Sequence, residues 1–148
     1  MPQTAQQQLD GFLAKYDPAI EKLARDVMKR LHKRLPGSTS LIYDNYNALA
    51  IGFGPTEKEP PISIALYPRW VNLFFLQGAG LPDPHRLMQG KGARVRSIRI
   101  DKASLIDDER VDELITAAVL SYGWKLDPKA KTKLVVRSIS PNQRPRRS

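Results

Sequence analysis

Ile62-Ser63-Ile64-Ala65-Leu66-Tyr67-Pro68-Arg69-Trp70-Val71-Asn72-Leu73-Phe74-Phe75-Leu76 reads as two β-strands with a short link between them. In the first, Ile62, Ile64 and Leu66 alternate with Ser63, Ala65 and Tyr67, the period-two pattern of a strand with one buried and one wetter face. The second, Val71 to Leu76, is apolar on both parities, which suits a central strand. Upstream, Ser40 to Asp44 and Asn47 to Phe53 read as two further strands, with a tight connection at Asp44-Asn45. A polar loop from Gly54-Pro55 through Pro60-Pro61 leads into the third strand. Downstream, Gln77 to Gly92 is a long glycine-bearing connection with a helical turn around Asp83 to Met88, and Val95 to Ile100 completes five strands. Links this short favour antiparallel neighbours.

The strands are bracketed by helices. Ala5 to Tyr16 places Leu9, Phe12 and Leu13 on one stripe. Asp17-Pro18 then opens the longest periodic segment, in which Ile20, Leu23, Ala24, Val27, Met28, Leu31 and Leu35 keep the three-and-four spacing of one buried face. Asp17 suits the capping position and Pro18 the first turn, where a missing N–H costs nothing. Pro36-Gly37 ends this helix. A last helix from Asp108 to Tyr122 aligns Val111, Leu114, Ile115, Ala118, Val119 and Tyr122 and stops at Gly123. Leu134 to Ile139 adds an edge strand, and Pro141 to Ser148 reads as disordered. The expected architecture is α+β: an antiparallel sheet of about five strands packed on one face by an N-terminal and a C-terminal helix. Residues 1–123 form the domain and residues 124–148 a basic C-terminal extension.

Length and composition narrow the chemistry. A chain of 148 residues, 41% of them hydrophobic, fits one core. No window approaches the roughly 18 to 20 apolar residues of a membrane span. Met1 to Leu9 lacks a basic start and an apolar run, so it does not read as a secretory signal, and a cytoplasmic location is expected. The absence of cysteine removes disulfides, thiolate nucleophiles and Cys-ligated metals. The formal charge of +9 is uneven: residues 124–148 hold eight cations against one acid, whereas residues 1–123 hold sixteen against fourteen. A basic end on a nearly neutral fold suggests contact with nucleic acid or another acidic partner, or simply a solvated end. No aromatic residue follows Trp124, so the extension carries no stacking platform of its own.

Among candidate sites, the connection Gly78-Ala79-Gly80 to Gly90-Lys91-Gly92 offers turning backbone near cations. Arg69, His85, Lys91, Arg94 and Arg96 are therefore the residues assigned to an anion or ligand. Neither the phosphate-loop nor the dinucleotide spacing is present. Asp107, Asp108, Glu109, Asp112 and Glu113 could attract a hard cation, but an acidic first turn ordinarily complements the helix dipole, and no metal is assigned. His32, beside Lys33 and Arg34, reads as solvated. No GxSxG elbow, HExxH helix or Ser-His-Asp grouping appears, so no catalytic residue or cofactor is assigned. Tyr43, Tyr46, Phe53, Tyr67, Trp70, Phe74 and Phe75 either pack the sheet or line an apolar groove.

The order of a long amphipathic helix, Leu41-Ile42-Tyr43-Asp44, Ala50-Ile51-Gly52-Phe53, Ile64-Ala65-Leu66-Tyr67, Gly80-Leu81-Pro82-Asp83-Pro84 and Gly90-Lys91-Gly92 resembles the bacterial YdhG-like family of unknown function. The resemblance spans roughly Leu9 to Ser121 and implies a small α+β domain with two helices on an antiparallel sheet. One branch of that family is described as a frataxin-like iron chaperone, which implies an acidic ridge on the first long helix; here Asp17, Glu21 and Asp26 face six cations from Lys22 to Arg34. The expected function is a non-enzymatic binding or scaffolding domain for a small anionic ligand or an acidic protein. The alternatives are iron delivery and nucleic-acid association through the basic extension.

Overall fold

The alternation in residues 62–76 forms a hairpin in the computed structural model, which describes residues 2–148: β3 (Ile62–Leu66) and β4 (Val71–Phe75) pair antiparallel, with Ile64 opposite Leu73. β1 (Thr39–Asp44) and β2 (Leu49–Gly54) form a second hairpin, closed where the Asn45 N–H donates to the Ala48 carbonyl at 3.0 Å. β5 (Arg96–Ile100) pairs with β4, and β2 joins β3. Ile42, Ile51, Ile64, Leu73 and Ile98 thus lie in one row across five antiparallel strands, all buried.

Over this row sit α2 (Pro18–Arg34) and α3 (Glu109–Tyr122). Ala24, Val27 and Leu31 of α2 and Val111, Leu114 and Ile115 of α3 share its core cluster, so both helices cover one sheet face, as their periodicity predicts. Each such aliphatic side chain contributes about 1.5–3 kcal/mol on full burial. On the other face, an added Cβ at Gly52 would lie 2.3 Å from Pro60 Cγ: the loop over residues 55–61 folds back onto it. β4 is interior, but only one of its faces is fully buried, with Asn72 and Phe74 half-buried on the helix-free side.

The sheet departs from expectation at its other edge. It has six strands in the order β5-β4-β3-β2-β1-β6, and β6 (Lys133–Ile139) runs parallel to β1, so the sheet is mixed. The cause lies in the crossover from α3. Trp124 is 7% exposed and belongs to the core, and the following turn seats Ala130 against Gly37, where an added Cβ would meet Ala130 Cβ at 2.6 Å. Gly37 itself has φ +73°, the left-handed conformation that glycine adopts without strain. The chain therefore re-enters the sheet beside the start of β1, with the Lys133 N–H donating to the Ser38 carbonyl at 3.2 Å. A boundary after residue 123 would cut this core.

The helix ends refine the sequence reading. α1 (Ala5–Leu13) is closed by a capping box between Thr4 and Gln7 and packs beside β6. Pro18 opens α2, but the Asp17 side chain does not cap it; that carboxylate accepts from the Ser148 hydroxyl at 2.7 Å instead. Asp108 caps α3 through the Arg110 N–H at 2.9 Å. Residues 83–88 form no helical turn, because the Asp83 carboxylate accepts from the Leu87 and Met88 N–H groups and ties them into a loop. Among the described residues, no helix is long and apolar enough to cross a membrane.

Candidate functional site

Antiparallel pairing gathers one end of β1, β2, β3, β4 and β5 into the row Asp44, Leu49, Leu66, Val71 and Ile100. The links Asn45–Ala48 and Tyr67–Trp70 project beyond this row. Because β6 is parallel to β1, with Ile139 beside Asp44, it delivers residues 140–148 to the same end. An antiparallel β6 would have released them at the opposite end.

The segment that read as disordered is bound there. The Ser140 N–H donates to the Asp44 carbonyl at 2.8 Å and the Arg144 N–H to the Tyr46 carbonyl at 2.9 Å. Arg146 is 5% exposed: its guanidinium donates to Asp44 Oδ1 at 3.0 Å and to the Asn45 carbonyl at 2.6 Å, and lies 5.8 Å from the centroid of the Tyr16 ring. Tyr16 in turn donates its hydroxyl to the Leu66 carbonyl at 2.8 Å and accepts from the Leu49 N–H at 3.2 Å. Burial pushes the Tyr16 phenol above its ordinary pKa, so it stays a neutral donor. Arg147 donates to the Ala14 carbonyl at 3.2 Å.

Beside these anchors lies a groove of about 710 Å³ lined by Asn47, by Tyr67, Arg69 and Trp70 of one hairpin link, and by Arg144, Arg147 and Ser148. Tyr67 and Trp70 are stacked at 4.9 Å and 21°. Arg99 lies 5.6 Å above the Trp70 ring and Arg144 5.6 Å above that of Tyr46, which is 50% exposed. Such cation–π contacts are worth about 0.5–1 kcal/mol at exposed sites. Among the described residues, neither Arg69 nor Arg144 nor Arg147 has a carboxylate within 4.0 Å, whereas Arg99 is paired with Asp101 at 3.3 Å. The groove gathers cations beside aromatic surface, a setting that attracts anions, although Asp17, bonded to the lining residue Ser148, lies close enough to Arg147 to feel its charge.

The residues assigned from sequence separate into two places. Arg69 lines this groove. Arg94 and Arg96 lie at or just before the opposite end of β5, Arg96 pairing with Phe75, and both are engaged within the fold. Arg94 reaches Glu59 at 2.8 Å, and Arg96 donates to the Gly92 and Val95 carbonyls at 2.6 and 2.8 Å. Lys91 stands exposed in that connection. His85 is 3.4 Å from Glu113 on α3, a partner that sequence spacing did not indicate. The acidic start of α3 is likewise divided among cations: Asp107 with Arg30, Asp108 with Arg110 and Asp112 with Arg34. His32 is half-buried rather than solvated, with Nε2 3.0 Å from Ser40 Oγ and its ring edge-on to Phe53 at 5.4 Å; burial lowers its pKa.

The sequence left Tyr46, Tyr67 and Trp70 open between packing the sheet and lining an apolar groove, and did not place Arg144, Arg146 and Arg147 beside them. The one local signal was Tyr67-Pro68-Arg69-Trp70, a turn that displays two aromatic rings and a cation together. Comparison with protein-family models, curated proteins and solved structures gives no match.

Proposed function

We propose that this chain is a non-enzymatic binding domain that takes an anionic partner in the groove at the Asp44–Ile100 end of its sheet. The observation that carries this reading is the convergence of Arg69, Arg144 and Arg147, three cations with no carboxylate within 4.0 Å among the described residues, around one depression. The backbone bonds and the buried Arg146–Asp44 pair hold the segment bearing two of them, so little ordering entropy remains to be lost on binding. Iron delivery has weaker support, because among the described residues no three His, Asp or Glu side chains converge and the α3 acids face cations.

The test is a titration of isotopically labelled protein with inorganic polyphosphate, followed residue by residue by NMR. Shifts should concentrate at Asn47, Tyr67–Trp70 and Arg144–Arg147, and the triple variant Arg69→Ala/Arg144→Ala/Arg147→Ala should abolish them. Shifts confined to residues 77–96, or none at all, would overturn the reading.

A further inference from the structure

The groove combines two kinds of surface that a simple anion does not need together. Positive charge suffices for phosphate, sulfate or a carboxylate, but this end of the sheet also presents Tyr46, Tyr67 and Trp70, two of them stacked and each of Tyr46 and Trp70 covered by a guanidinium. A ligand that uses both surfaces carries flat π-systems and regularly spaced negative charge. Rings and guanidinium planes are the surfaces on which unpaired bases stack, while neighbouring cations track the backbone phosphates.

We infer that the ligand of this groove is a single-stranded nucleic acid, with bases against Tyr67 and Trp70 within it and against Tyr46 beside Arg144, and phosphates against Arg69, Arg144 and Arg147. This rests on the anion-binding reading above and narrows it. The extent of the surface fits: Arg99 on β5 and Tyr46 after β1 lie four strand spacings apart, about 19 Å at roughly 4.8 Å per strand. That accommodates about four nucleotides, the low end of single-strand sites. A duplex is a poorer fit, because its bases are already stacked on one another and offer no free faces to the rings. Acidic peptides and anionic membranes satisfy the charge but not the rings.

The test compares fluorescently labelled 12-nucleotide single strands of DNA and RNA with a duplex of the same sequence, polyphosphate, poly-glutamate and phosphatidylserine vesicles, all against the full chain. Single strands are expected to bind at least about tenfold tighter than every other probe. Their affinity should fall with salt, with a log–log slope of about −0.7 per phosphate contacted. Trp70→Ala should weaken single strands about fivefold or more and leave polyphosphate unchanged. Tyr46→Ala, at a side chain too exposed to affect the core, should do the same and guards against a Trp70 variant that fails to fold. Arg69→Ala/Arg144→Ala should weaken both probes.

Equal affinity for single strands and polyphosphate, with neither aromatic variant having an effect, would overturn the nucleic-acid inference and leave anion binding standing. Preference for the duplex, poly-glutamate or vesicles would also overturn it. Binding of no probe would overturn both readings.

Discussion

Arg146 shows how little a local sequence reveals of a side chain's role. In Arg144-Pro145-Arg146-Arg147 nothing separates it from its neighbours, yet it alone is buried, against a carboxylate 102 residues away. Removing one partner of a buried pair leaves the other charge without compensation. Arg146→Ala should therefore destabilise the fold by about 3–5 kcal/mol in urea unfolding, with Asp44→Ala comparable and the double variant costing clearly less than the two added together. Additive losses would show that the pair does not interact. His32 is a second case, since its cationic neighbours suggested solvent. Burial holds its folded pKa below the unfolded value of about 6.5, so the unfolded chain takes up the proton more readily. Stability is unaffected by this group above that value and is lost as pH falls from there through the lower folded pKa. The drop in Tm between pH 7.5 and 5.0 should accordingly be smaller in His32→Gln than in the parent chain, and equal drops would remove His32 from the pH response.

Helices and strands were legible wherever an element buries one face, because burial imposes its period on the residues. The apolar stripe of α2 from Ile20 to Leu31 and the alternation of β3 reappear with end shifts of one or two residues. β6 was legible as a strand, but its direction was not: Leu134 to Ile139 has the same composition whichever way it runs. That direction depends on Trp124 and Ala130 reaching their seats. The partly buried Leu134 and Val136 make β6 a working edge of the core, whereas residues 141–148 lie on its end. Removal of residues 133–148 should thus abolish a cooperative thermal transition. Removal of residues 141–148 should lower Tm while preserving both the transition and the far-UV circular dichroism. Equal behaviour of the two truncations would show that β6 does not stabilise the sheet.

The groove belongs to the whole molecule. Tyr67, Arg69 and Trp70 come from one hairpin link, Asn47 from another, and Arg144 and Arg147 from a segment that reads as solvated when taken alone. Arg69 was identifiable because a turn displays its residues wherever the chain goes. Lys91, Arg94 and Arg96 were grouped with it because all are cations near glycines, but β4 and β5 place Arg69 and Arg96 at opposite ends. Hydrophobic spacing, a chain length sufficient for one core and the absence of cysteine were enough to specify an α+β domain without thiol chemistry, though not its mixed sheet. These follow from periodicity and composition, which are properties of the chain read in order. The sixth strand's parallel course, the burial of Arg146 and the meeting of arginines with aromatic rings arise from contacts between residues about a hundred positions apart, and these came into being only when the crossover from α3 closed onto Gly37.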